Sequence, residues 1–243
     1  LERRYPKLPL EEDFFVNYGF LPRAHHGLMH PRTPREAWTL ARWKQAHAVL
    51  DFIAERGAVH PREVDAHFAH GKVINWFGGS SKASTQLLDG MHYRGLLRVA
   101  RRDGGTRVYA TRAGDATPVD ADTASARMDA LIDLVVSKYA PLPAPSLAHL
   151  VRLLGGGVPQ WETQRAAALA RAKQRLGKAR VEGVDWYWPI GENPAAACWA
   201  PDQAVRLLTP FDPVVWDRRR FAMLWHWTYR FEATPDGTLV TES

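Results

Sequence analysis

The chain has 243 residues, enough for one large domain or two to three small ones. Hydrophobic residues make up 46% and charged residues 24%, which excludes a wholly disordered or collagen-like chain. Lysine and arginine number 32 against 26 acids, a formal +6, and such an excess gains meaning only from its location. The single cysteine, Cys198, excludes an internal disulfide or a cysteine zinc cluster and fits a reducing cytoplasm. No apolar run approaches the ~20 residues that span a bilayer, and Leu1-Glu2-Arg3-Arg4-Tyr5-Pro6 has no apolar stretch behind its charges. A cytoplasmic protein without membrane contact is therefore expected. Position 1 is Leu rather than Met, which raises the expectation of a fragment.

Residues 1–34 carry Pro6, Pro9, Pro22, Pro31 and Pro34 without a sustained period, which predicts a connecting segment of short helical turns and extended links. From Arg35 to Arg56, Ala37, Leu40, Trp43, Val49, Leu50, Phe52 and Ile53 recur at helical spacing, and Gly57 follows as a stop. His60-Pro61-Arg62-Glu63-Val64 opens a second helix with proline at its first position, ending near Gly71. A third is predicted from Ser80 or Ser81 to Arg94, capped by a serine hydroxyl and stopped by Gly95. Alternation over 97–102 and 106–110 around Asp103-Gly104-Gly105 predicts a tight hairpin. Helix, helix, helix, hairpin over 35–112 is the order of a winged helix-turn-helix module.

A linker is predicted over 113–123, after which the same order recurs over 124–189: helices at Met128–Tyr139, Ser146–Leu154 and Thr163–Lys178, then a hairpin at Val181–Trp188. Residues 202–232, with an apolar element at Ala204–Leu208 and a helix from Pro213 to Tyr229, are expected to begin a third module or a barrel, and 233–243 to be an unstructured tail. The expected fold class is mainly α with small β-hairpins, an α+β arrangement of tandem winged helix-turn-helix modules built as structural repeats.

The charge is not spread evenly. Residues 80–112 hold a local +5 and residues 161–182 a local +4, while the rest of the chain is net negative. The excess thus falls on the third helix and wing of each repeat, the elements that face a nucleic acid in this architecture. A polyanionic duplex recruits such cations through counterion release, and hydroxyls and free N–H groups at a helix start bind phosphate oxygens. Ser80, Ser81, Lys82, Ser84, Thr85 and Gln86 line the start of the first third helix, and Gln86 is able to read adenine. Arg94, Arg98, Arg101, Arg102 and Arg107 complete the DNA-binding set, with Arg98, Arg101, Arg102 and Arg107 the strongest contacts; a solvated charged face is the competing reading of each. The expected partner is double-stranded DNA, bound by a monomer.

Other constellations carry less chemistry. His60, His67 and His70 lack a His-Glu-x-x-His pattern or a third ligand, so no metal is expected there. His25, His26 and His30 flank prolines and read as loop or packing residues. Glycines 155–157 lack the Lys-Ser/Thr of a phosphate loop, and Cys198 has no neighbouring charge that would activate it. Asp212, before Pro213, reads as a helix cap ahead of a catalytic role. Trp186, Trp188, Trp216, Trp225 and Trp227 read as core ahead of a stacking platform.

His60-Pro61-Arg62-Glu63-Val64-Asp65, Trp76-Phe77-Gly78-Gly79-Ser80-Ser81, Leu88-Asp89-Gly90-Met91-His92-Tyr93-Arg94-Gly95-Leu96-Leu97 and Pro210-Phe211-Asp212-Pro213-Val214-Val215-Trp216-Asp217-Arg218 resemble the AlkZ/YcaQ (AlkX) family of winged-helix DNA glycosylases. The resemblance runs from the start to about Glu232. It implies tandem winged helices followed by a small β-barrel, and excision of alkylated bases, including interstrand crosslinks, without metal or other cofactor. The family's catalytic pair lies in a Gln-x-Gln or Gln-x-Asp motif, and neither occurs here: Gln45, Gln86, Gln160, Gln164, Gln174 and Gln203 stand in other contexts. The expectation is a chain that begins after that motif and stops before most of the barrel, so that no catalytic residue is assigned. A non-enzymatic tandem winged-helix regulator is the alternative, and a gene product that folds only partly is a third.

Overall fold

The computed structural model describes residues 2–68, 71–74, 80–112, 119–196, 198, 203–229, 232–233 and 239–240. The sequence motif at 76–79, His70 and most of the expected linker lie outside them. Helices and small antiparallel sheets make this a mixed α+β chain. It divides into two units, Leu1–Met128 with Leu153–Thr163, and Asp129–Arg152 with Gln164–Ser243. Among the described residues no helix is long and apolar enough to cross a membrane.

The first unit opens differently from the connecting segment expected. A 3-10 turn at Tyr5–Lys7 leads into β1 (Leu10–Phe14) and β2 (Tyr18–Pro22), an antiparallel hairpin in the register Leu10 to Pro22 and Phe14 to Tyr18. α1 (Arg23–Leu28) follows. Glu11, Glu12 and Asp13 are all buried, because each finds cationic partners on other elements.

α2 (Leu40–Arg56) starts where the Thr39 hydroxyl accepts from the Arg42 N–H at 3.2 Å and ends at Gly57, whose φ of +79° only glycine adopts freely. β3 (Ala58–Val59), α3 (Pro61–Phe68), β4 (Lys72–Ile74), β5 (Ser80–Lys82), α4 (Ala83–Tyr93), β6 (Leu97–Asp103) and β7 (Thr106–Thr111) follow in chain order. Ala46, Val49, Phe52 and Ile53 of α2 meet Val64, Leu87, Leu88, Met91, Leu97, Val99 and Tyr109 in one core. Each larger apolar side chain there contributes on the order of 2 kcal/mol. The hairpin turns at Gly104 and Gly105, both at positive φ, as the sequence predicts. The serine cap of the third helix is corrected. Ser80 and Ser81 pair with Ile74 and Val73 in the β4–β5 ladder, which holds their backbone extended. The helix therefore begins at Ala83, without a side-chain cap.

α5 (Ala121–Tyr139) is followed by β8 (Leu142–Pro143), α6 (Ala144–Leu153), α7 (Arg165–Arg175), β9 (Gly177–Val181) and β10 (Val184–Trp188). Leu131, Ile132, Val135, Leu142, Leu147, Leu150, Ala168, Ala172, Leu176, Trp186 and Tyr187 are buried here. The β9–β10 turn uses Glu182 and Gly183, again both at positive φ. The two-residue strands carry a common topology. β3 lies between the first two helices and pairs with β7, giving a sheet β3-β7-β6; β8 lies between α5 and α6 and pairs with β10, giving β8-β10-β9.

Beyond Trp188 the expectations need correction. The apolar element expected at Ala204–Leu208 is exposed coil, and the last helix, α8 (Arg218–Trp225), is shorter at both ends than Pro213–Tyr229. Its cap is Asp217, whose Oδ1 accepts from the Arg220 N–H at 3.2 Å. Asp212 instead turns back on Val214 N–H at 2.9 Å, forming a local turn one step earlier. In the expected tail, β11 (Glu232–Ala233) and β12 (Leu239–Val240) form a short antiparallel ladder.

Candidate nucleic-acid interface

The arginines expected to meet DNA in the first unit are held within it, most of them by carboxylates. Arg102 is bidentate to Glu12, 2.9 Å from Nε to Oε1 and 2.7 Å from Nη2 to Oε2, and also donates to the Gly105 carbonyl. Arg98 donates to Glu11 at 2.9 to 3.2 Å. These pairs fasten the β1–β2 hairpin to β6, and they match the charge of Arg98 and Arg102 within the same unit. Arg107 donates to Asp89 at 2.9 Å and lies 4.4 Å over the Tyr18 ring. Arg94 lies 3.7 Å over Trp38 and donates to the Glu36 carbonyl.

Asp65 gathers two more of the expected residues, accepting from Lys82 Nζ and, at 2.9 Å, from Ser84 Oγ. Ser84 is thereby buried in the α3–α4 contact and not offered to solvent. Gln86 is half-buried. Of the nine expected residues whose side chains are described, Lys82, Thr85 and Arg101 are exposed. Arg101 pairs with Asp103 at 3.2 Å, both side chains nearly half-exposed. A surface cleft of about 280 Å³ brings together Thr85, Arg102, Arg107 and Tyr109 between α4 and the β6–β7 hairpin. Burial raises the Tyr109 phenol above its ordinary range, with the nearby Asp89 carboxylate adding to it.

The most highly organised polar cluster of this unit was missed by sequence reasoning. Asp13 Oδ2 accepts from His26 Nε2 at 3.0 Å and His30 Nε2 at 2.8 Å, while Oδ1 accepts from Arg32 Nη1 at 2.9 Å. Arg32, also buried, donates further to the carbonyls of Gly157, Tyr93 and Phe14. Burial by itself raises a carboxylate pKa, but the two imidazole hydrogen bonds and the Arg32 charge outweigh it and hold Asp13 well below the carboxylate range. For His30 burial dominates over the pull of Asp13 and lowers the imidazole to about 3.

Asp13, His26 and His30 are the metal-capable trio among the described residues, their ligand atoms within 4.8 Å of one another. Arg32 already supplies the compensating charge, and a divalent ion would stand beside a buried guanidinium, which argues for a structural hub. The readable signal was the pair His26 and His30 one helical turn apart, after an acidic run.

In the second unit, Arg171 is bidentate to Asp129 at 2.8 to 3.2 Å and Arg175 to Asp133 at 2.8 to 3.4 Å, which fastens α7 to α5. Lys173 and Lys178 form no ion pair among the described residues, and Lys178 is exposed on β9. Arg180 stands 3.6 Å from Asp185 across the β9–β10 hairpin with its side chain 70% exposed. Here the exposed cations sit on the hairpin; the third helix has spent its arginines on packing.

A small mixed fold that places cations on paired helix-and-hairpin units has the character of a nucleic-acid-handling protein. The family model described as DNA glycosylase AlkZ-like matches residues 1–240, and the chain belongs to that family of DNA repair glycosylases. No curated protein and no solved structure matches it.

Proposed function

We propose that this chain grips double-stranded DNA through two winged-helix modules, residues 35–112 and 124–189, as the DNA-holding body of a cytoplasmic, monomeric glycosylase for alkylated or crosslinked bases. What supports the reading is the twofold recurrence of the order helix, short strand, helix, helix, hairpin, with the short strand joined to the hairpin's second strand each time and an added β4–β5 ladder in the first copy alone among the described residues. In that architecture the third helix and the wing face the duplex. In this reading the phosphate contacts are assigned to Lys82, Thr85 and Arg101 with the Ser80 and Ser81 backbone in the first module and to Lys178 and Arg180 in the second, all five of these side chains being exposed. Extruding a base costs a few kcal/mol, so a grip on the flanking backbone is needed before chemistry.

The test is the salt dependence of binding to a short duplex. Each phosphate contact contributes about −0.9 to the slope of log affinity against log salt. Arg101→Ala and Lys178→Ala are each expected to make the slope shallower by about one. Slopes equal to that of the unmodified chain in both variants would remove these wings from the interface. A glycosylase assay on alkylated and crosslinked duplexes tests the activity separately.

A further inference from the structure

A second polar pocket, of about 390 Å³, lies within the second unit where α6 meets the start of α8, lined by Ser146, His149, Trp216, Asp217, Arg218 and Arg219. Its volume falls within the range of small-ligand sites, roughly 300 to 1,000 Å³. Two groups in it are unspent. Ser146 is 2% exposed, and its Oγ has no hydrogen-bond partner. Asp217 uses Oδ1 to cap α8, while Oδ2 is buried and accepts from nothing. Buried polar atoms left unmatched cost stability, so their retention at one pocket points to a ligand that satisfies both.

The pocket also has an aromatic lining residue, Trp216. Trp216 lies 5.8 Å from Tyr139 and 6.4 Å from His149, ring centre to ring centre. The turn that carries Trp216 and Asp217 is fixed from below by Arg220, which donates to the carbonyls of Tyr139, Pro213 and Val214. Arg218 and Arg219 are exposed at the rim and form no ion pair among the described residues. A flat ring system with an N–H edge, attached to an anionic backbone, matches a stacking face, an acceptor, a hydroxyl and two rim cations.

We propose that this pocket receives an extruded nucleobase of a bound strand, stacked on Trp216, donating an N–H to Asp217 Oδ2 and bonded to Ser146 Oγ, with Arg218 and Arg219 on the adjacent phosphates. This rests on the reading of the chain as a DNA glycosylase and names a base-holding site for it. The probe is a duplex carrying one 2-aminopurine opposite an abasic spacer, compared with the same duplex fully paired. Ser146→Ala removes a hydroxyl that bonds to nothing in the protein, so it is expected to keep or raise the melting temperature while weakening the unpaired-base duplex about 2- to 10-fold.

Asp217→Asn keeps a capping oxygen but turns an amide toward the base, and is expected to weaken that duplex roughly tenfold or more. Both variants are expected to bind the fully paired duplex as the unmodified chain does. Equal losses on both duplexes would reduce the pocket to a backbone contact and overturn the proposal. So would unchanged binding of the unpaired-base duplex by both variants. If the unmodified chain binds neither duplex, the DNA reading falls with it, an outcome distinct from either of these.

Discussion

Replacing Arg102 with alanine distinguishes a structural arginine from a DNA contact. In the folded chain Arg102 gives two short hydrogen bonds to Glu12, whose side chain is 1% exposed, while its own is 28% exposed. Arg102→Ala leaves that carboxylate buried with the Tyr18 hydroxyl, 3.1 Å away, as its side-chain donor. Breaking a buried pair from one side costs about 3 to 5 kcal/mol. Partial exposure of the guanidinium lets water reach the site and reduces the expectation to about 2 kcal/mol. For a chain of this size that corresponds to a fall in melting temperature of roughly 4 to 8 °C. The measurements are a thermal melt, urea unfolding and hydrogen exchange at the β1 and β2 amides, which are expected to lose protection first. Adding Glu12→Gln restores much of the loss, because the stranded charge is gone. Arg101→Ala, which breaks a solvent-exposed pair, is expected to cost about 0.5 kcal/mol or less. Arg102→Ala that melts like the unmodified chain but binds DNA with a shallower salt slope would refute the pairing argument.

Acidification is expected to unfold the first unit through His30 before its carboxylates titrate. The unfolded imidazole takes a proton below its ordinary 6.5 whereas the folded one stays neutral down to about 3, so the unfolded state binds more protons in that window. Stability then falls by up to about 1.4 kcal/mol per pH unit as pH drops through it. Asp13, ionised in the fold below its ordinary range, adds a loss of the same sign at lower pH. Urea midpoints measured between about pH 7 and about pH 4.5 check this, and a flat profile there argues against a neutral buried His30. Gly95→Ala is expected to destabilise by at least about 2 kcal/mol: φ is +78°, and the added Cβ lands 2.4 Å from His30 Nδ1. A melting curve is sufficient to read it. Thr39→Ala should cost about 1 kcal/mol through loss of the α2 cap, with amide exchange rising in the first turn.

Individual helices and hairpins were legible because periodicity and turn chemistry are local. Helices α2, α3, α4, α6 and α7 and both hairpins fall close to their predicted places, each bounded by a glycine, a proline or a change of period. What was not legible required partners distant in sequence. β3 and β8 are two residues long and exist only because β7 and β10 accept them. Ser80 and Ser81 look like a helix cap until the β4–β5 ladder claims their backbone. The N-terminal segment reads as a connector because its five prolines interrupt any sustained period, and Glu11, Glu12 and Asp13 belong to residue types that seldom bury. Partners 12 to 90 positions later, Arg23, His26, His30, Arg32, Arg98 and Arg102, make their burial tolerable.

The same long-range pairing changes what the clustered charge means. The two basic windows hold thirteen lysines and arginines, and if every one met a phosphate the salt slope would approach about −12. Arg98, Arg102, Arg107, Arg171 and Arg175 are instead held by carboxylates of their own unit. Arg94 is held by Trp38 and a backbone carbonyl. A guanidinium already matched to an acid displaces few counterions, so these residues set the shape of the β6–β7 hairpin and of α7, while Lys82, Arg101 and Arg180, whose ion pairs are more exposed, and the unpaired cations are the ones that the proposed DNA complex would engage. The slope expected for the unmodified chain is therefore about half the naive value, near −6 or shallower. A measured slope near −12 would mean that the internal pairs open on DNA, and the β1–β2 hairpin, which depends on Arg98 and Arg102, would have to come away with them.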